Sequence, residues 1–170
     1  GHGWHPDTTV FTGNSAVLPD SMTGSVHLQG AATLAKSLTI LGAAAVDGSG
    51  VLTVNGHTFT VTGALSTGGS GVLRMTTAGD SVDVGGAFTT SSAVSSSGQL
   101  TTGTLVLRGS FAQIAGSSLN FAPSGTHRTV FAGTAAQGIS FSNPATTNSH
   151  FQDVTFKNAA GITFGTSVFI

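Results

Sequence analysis

TLVLRGSF, residues 104–111, alternates apolar and polar side chains, then stops at a glycine followed by a small residue and an aromatic. Period-two alternation marks a strand with one buried face, because successive side chains of an extended chain point to opposite sides. The phrase recurs. Aligned on its glycine, the chain reads SLTILG (37–42), TFTVTG (58–63), SVDVGG (81–86), TLVLRG (104–109), RTVFAG (128–133) and DVTFKN (153–158). The anchors Gly42, Gly63, Gly86, Gly109, Gly133 and Asn158 stand 21, 23, 23, 24 and 25 residues apart. Asn is the residue that best replaces glycine in a left-handed conformation, so the ladder predicts one shared turn at every anchor.

Two places before the anchor stand Ile40, Val61, Val84, Leu107, Phe131 and Phe156; four places before it stand Leu38, Phe59, Val82, Leu105, Thr129 and Val154. These are the predicted inward positions, and only Thr129 breaks their apolar pattern. Two places after the anchor, Ala44, Leu65, Phe88, Phe111, Ala135 and Ala160 form a third column, again small or apolar. A second strand-like piece recurs as VLTV (51–54), VLRM (72–75), SLNF (118–121), GISF (138–141) and GITF (161–164). No stretch has the periodicity of an amphipathic helix.

Strands at a fixed period of 21–25 residues, with glycine turns and no helix, point to a stacked coil, because one coil cannot bury its apolar face alone. The fold expected is all-β: a single-domain parallel β-helix of about six to seven rungs, stacked roughly 4.8 Å apart. TTVFTG (8–13) and SVHLQG (25–30) fit the phrase but not the spacing, and read as a shorter or differently phased beginning. Residues 1–24 are therefore read as an N-terminal cap or docking segment and 25–170 as the solenoid. The competing fold is a β-sandwich, for which VNGHTF (54–59), with Asn55-Gly56 at its centre, would be a hairpin.

Composition narrows the function. Six Asp, no Glu and five Lys or Arg leave a net charge of −1 in 170 residues. That balance offers no basic surface for nucleic acid. The longest apolar run, ILGAAAV (40–46), is too short to enter a bilayer as a spanning helix. Eleven Phe and low net charge argue against disorder. Zero Cys removes disulfides, thiolate metal sites and thiol catalysis. The first residues show no secretory leader pattern.

With the ladder in view, the chain from VLTVNGHTFTVTGALSTGGSGVLRM through LTTGTLVLRGSFAQ and NFAPSGTHRTVFAGTAAQGISFSNP to HFQDVTFKNAAG resembles repeats of bacterial secreted and cell-surface β-solenoid proteins, over roughly residues 50–165. GTHRTVFAGTAAQ (125–137) is the most specific part. The resemblance implies an extracellular or cell-surface location and a stalk-like or adhesin-like role, and carries no catalytic residues or cofactor with it.

The remaining candidates are weighed residue by residue. Cleavage of acidic sugars on a β-helix needs clustered carboxylates, or calcium with a basic residue, on one face. Asp7, Asp20, Asp47, Asp80, Asp83 and Asp153 are too scattered, and read as solvated charges. GGSGVLR (68–74) has Leu73 where a glycine-rich calcium repeat needs Asp, and DGSG (47–50) lacks alternating oxygen ligands. His2, His5 and Asp7 form the one close cluster of metal-ligand types; His57 and His127 read as turn residues. An outward Thr array suited to ice is interrupted by Asp83, Arg128 and Asp153.

The expectation that remains is a non-enzymatic structural protein without cofactors. The closing GITFGTSVFI reads as an uncapped apolar rung. Its predicted partner is a second copy, joined head to tail into a fibre through Trp4, Val10 and Phe11 at one end and Ile162, Phe164, Val168, Phe169 and Ile170 at the other. The alternatives are a stalk or adhesin segment beside adjoining modules of a larger surface protein, and a wall that binds a surface glycan.

Overall fold

The computed structural model describes residues 8–13 and 18–170. Among these there is no helix. Eighteen short strands pair only in parallel, in three walls. One wall has eight strands, in the order β1 (Thr8–Phe11), β3 (Ser25–Leu28), β6 (Ala44–Val46), β9 (Leu65–Thr67), β12 (Phe88–Thr90), β14 (Phe111–Gln113), β16 (Gln137–Phe141) and β18 (Ile162–Phe164). A second has seven: β2 (Ser21–Thr23), β5 (Leu38–Leu41), β8 (Thr58–Val61), β11 (Ser81–Val84), β13 (Thr104–Leu107), β15 (Arg128–Phe131) and β17 (Val154–Phe156). The third has three: β4 (Ala31–Thr33), β7 (Val51–Thr53) and β10 (Val72–Arg74). The chain visits the walls in rotation. It is a parallel β-solenoid of about six turns.

The recurring phrase is the second wall. Its registers join Ile40, Val61, Val84, Leu107, Phe131 and Phe156 in one column, and Leu38, Phe59, Val82, Leu105, Thr129 and Val154 in the next. Thr129 stays inward and is fully buried. The third column departs from the spacing. Phe111 pairs with Ile139 and Ile139 with Phe164, while Ala135 and Ala160 are exposed. Residues 134–136 bulge at the corner, and the buried Gln137 side chain repairs it. Gln137 Nε2 donates to Leu107 O and Gly109 O at 3.0 and 2.5 Å, and its Oε1 accepts from Gly133 N and Asn158 Nδ2 at 2.9 and 2.8 Å.

The glycine anchors are glycine for a different reason from the one the ladder suggested. None of Gly42, Gly63, Gly86, Gly109 or Gly133 has positive φ, and Asn55 is the only described non-glycine residue that does. What forbids a side chain is the rung before. A Cβ on Gly63 would stand 2.7 Å from Gly42 O, and one on Gly86 2.8 Å from Gly63 C. Gly42, Gly63, Gly86 and Gly109 each lie against the preceding glycine so closely that this part of the column is a seam of bare backbone, whereas Gly133 lies against Arg108 O and the Gln137 side chain. The column's first member was not legible as a phrase: SMTG (21–24) places Met22 beside Ile40 and Gly24 under Gly42. Asn158 ends the seam with a side chain that donates to Ala135 O at 2.7 Å.

TTVFTG and SVHLQG belong to the first wall, paired Thr8–Ser25 through Phe11–Leu28, which explains their different phase. β1 and β2, within the segment read as a cap, add strands to the two large walls. GISF and GITF also belong to the first wall, whereas VLTV and VLRM form the third. VNGHTF is a corner, not a hairpin. Asn55 and Gly56 have φ of 58° and 80°, His57 N donates to Val54 O at 3.2 Å, and the flanking β7 and β8 lie in different walls.

The rungs widen along the rod, from 18 residues between Met22 and Ile40 to 25 between Phe131 and Phe156. Beyond β10 the third wall carries no named strand, but single backbone bonds continue it. Met75 N donates to Gln99 O, Ser124 N to Leu100 O, His150 N to Phe121 O and Phe151 N to Phe169 O, at 2.7–3.1 Å. The core changes to match. Val26, Ala32, Ala44, Val46 and Leu52 fill the narrow turns; Phe88, Phe111, Phe121, Phe131, Phe141 and Phe151 fill the wide ones. Larger side chains are needed there to reach the native packing density without voids.

Candidate functional site

The last turn differs from every turn beneath it. β17 sets Phe156 on Phe131, and β18 sets Phe164 on Ile139. The lower pair is sealed, at 0% and 1% exposure; the upper pair is open, at 44% and 52%. The rings of Phe156 and Phe164 meet nearly perpendicular with centroids 5.9 Å apart. Together with Thr166, Val168 and Ile170 they line an apolar groove. The tail forms the third side of this turn, since Phe169 O accepts from Phe151 N and Thr166 Oγ1 from Phe141 N at 2.9 and 2.8 Å.

The residues proposed as an assembly surface thus separate. Phe164, Phe169 and Ile170 are exposed, and Ile162 and Val168 are partly buried against the core. At the other end Phe11 points inward above Leu28 and is partly buried, whereas Val10 shares the outward column of His27. Trp4, and the His2, His5 and Asp7 cluster, lie outside the described residues. Among the described residues no three His or Asp side chains gather as metal ligands.

Every described carboxylate is tied to a neighbouring turn. Asp83 grips Arg108 with two bonds, from Nε at 2.8 Å and Nη2 at 2.6 Å. The hydrogen bond and charge of Asp83 hold this guanidinium above its ordinary pKa. Asp153 accepts from Arg128 Nε at 3.0 Å, Asp47 binds His27 Nδ1 at 2.8 Å, and Asp20 pairs with Lys36. The exposed Arg and Lys pairs among these contribute at most about 1 kcal/mol each. Asp80 overturns its reading as a solvated charge. It is 2% exposed, and its two oxygens accept from Gly56 N and Thr77 N at 2.5 and 2.9 Å.

The walls are unlike each other. On the first, register places His27, Ala45, Ser66, Thr89, Ala112 and Ser140 in one outward column, all small after His27. On the second, the outward face carries the Asp83–Arg108 and Arg128–Asp153 pairs, which interrupt any Thr array.

His127 closes a turn, as its sequence context suggested, but its side chain is fully buried. Nδ1 lies 3.1 Å from Thr102 O and donates to it as the neutral tautomer; Nε2 has no partner. Burial lowers its pKa, outweighing the backbone bond that raises it. Its stabilising contribution is therefore complete above the ordinary histidine pKa of about 6.5, and is lost as pH falls from there toward the lower folded value. Thermal unfolding at about pH 7.5 and about pH 5 is expected to show a larger acid loss in the wild type than in His127→Gln. Equal losses would place the acid sensitivity elsewhere.

No family model, curated protein or solved structure matches the chain.

Proposed function

We propose that this protein is a structural rod of the cell surface or extracellular space, joined end to end by stacking the last turn of one copy on the first turn of another. The observation that carries the reading is the contrast between Phe156 and Phe164, about half exposed, and the sealed Phe131 and Ile139 directly beneath them. An open row of core side chains beside unpaired strand edges is a template for one more rung. Among the described residues, β1 leaves an unpaired edge at the opposite end of the same eight-stranded wall as β18. Because every pairing is parallel, a copy shifted along the axis keeps strand direction. Continuing the register would set Thr9 over Phe164, a small side chain on a large one. A contact of this heterologous kind does not close, and yields a filament.

Electron microscopy and sedimentation over a range of concentrations test this. The wild type is expected to form unbranched fibres, while Phe164→Asp and Ile170→Asp remain monomeric with unchanged circular dichroism. Fibres that persist in both variants would defeat the proposal. A wild type that is monomeric at all concentrations would favour the alternative, a stalk or adhesin module whose neighbouring turns come from adjoining parts of a larger surface protein.

A further inference from the structure

The structure assigns a latent self-modification site to Asn55–Gly56, held silent by the turns on either side of it. In this dipeptide the Gly56 nitrogen is the nucleophile and the Asn55 side-chain amide carbon the electrophile. The nitrogen attacks Cγ as its proton passes to water, the new N–Cγ bond closes a five-membered succinimide, and the Cγ–Nδ2 bond breaks as the departing nitrogen takes a proton back from water and leaves as ammonia. Water then opens the ring at either carbonyl, leaving an aspartyl or isoaspartyl residue. No oxidant or reductant is involved. Glycine exposes its nitrogen to this attack because it has no side chain in the way.

The solenoid pulls the two reacting groups in opposite directions. Asn55 Nδ2 donates to Leu34 O at 3.0 Å, which ties the amide to the preceding turn. Gly56 N donates to Asp80 Oδ1 at 2.5 Å, which ties the nucleophile to the following turn. Asp80 is itself fixed: it is buried, and its other oxygen accepts from Thr77 N at 2.9 Å. Gly103 on the next turn leaves room for it, since a Cβ there would stand 2.8 Å from Asp80 Cβ. The positive φ of both Asn55 and Gly56 completes the held corner. Three stacked turns are thus needed to keep the pair apart, and separating either neighbour frees one partner.

The reaction makes such separation one-way. Its aspartyl product presents a carboxylate where Asn55 donated to Leu34 O, so an attraction becomes a repulsion. The isoaspartyl form also lengthens the backbone just before β8, whose register with β5 and β11 decides which side chains face the core.

Peptide mass spectrometry of the full chain after incubation at mildly alkaline pH tests this. The gain in mass at Asn55 is expected to be on the order of a hundredfold slower in the folded chain than in the chain unfolded by guanidinium at the same pH and temperature, because only the opened corner reacts. Asp80→Ala, in whatever fraction remains folded by circular dichroism, is expected to convert faster than the wild type. Equal rates in the folded and unfolded wild type would overturn the inference. A folded Asp80→Ala protein no faster than wild type would overturn the role of Asp80 in the lock.

Discussion

Gly109→Ala is expected to cost more than ~4 kcal/mol, a large part of the ~5–15 kcal/mol that holds a domain of this size together. The added methyl would stand on the backbone of Gly86 and within 2.6 Å of Ala87 N. Backbone cannot step aside as a flexible side chain can, so two turns would have to separate where β11 and β13 pair. In a linear stack each turn rests only on its neighbours, and a parted interface disconnects everything beyond it. Gly138→Ala is the control, because its nearest neighbour would be Ser110 Oγ at 3.6 Å, an ordinary contact. Urea unfolding of the two variants should differ by several kcal/mol. Similar midpoints would show that the seam tolerates side chains and that the close approach has been overvalued.

Phe111→Ala is expected to cost ~3–5 kcal/mol, the usual range for emptying a sealed aromatic site. Phe111 is the hub of the wide half of the rod. Its ring centroid lies 5.8 Å from Phe88, 4.7 Å from Phe121, 5.1 Å from Phe141 and 5.4 Å from Phe151. These rings come from consecutive turns and from two walls: strand ladders hold Phe88 and Phe141, and single backbone bonds between turns tether the segments that carry Phe121 and Phe151. The cavity therefore stays largely open, which is what makes such losses large. Phe164→Ala, at the open end, should cost only about 1 kcal/mol in the monomer, because about half of the side chain is already exposed. Equilibrium denaturation of the monomer measures both. A small loss at Phe111 would mean that the surrounding rings repack.

The legible parts of the molecule were those governed by short-range periodicity. Alternation determined which side chains of SVDVGG or TLVLRG face inward, and the constant spacing determined that they stack, because any other register would turn the apolar row to solvent. Both inner columns of the second wall could therefore be read residue by residue, down to the misfit Thr129. The spacing failed at Ala135 and Ala160, where the corner grows and a side chain, Gln137, takes over bonds that backbone makes elsewhere. Nothing in a one-dimensional pattern distinguishes a corner residue that bulges from one that continues a strand. SMTG was missed because a three-residue strand holds too little alternation to register.

Of the candidate site, the open apolar last turn was legible in GITFGTSVFI, but the division between covered Ile162 and Val168 and uncovered Phe164 and Ile170 was not. That division depends on the tail crossing back to Phe151. Asp80 was equally unreadable: a charge in a glycine-rich turn looks solvated until two amides from different turns are seen to surround it.

The sequence by itself thus determined that this chain is a stack of solenoid turns built of parallel strands, with Val, Leu, Ile and Phe inside, since side-chain alternation and repeat length leave little freedom in what faces the core. Only the tertiary structure decided why the anchors must be glycine, where the charges are bound and how the last turn is left open. Those are properties of the gap between neighbouring turns, set by atoms some 20 or more residues apart in the chain, and no local pattern encodes the width of that gap.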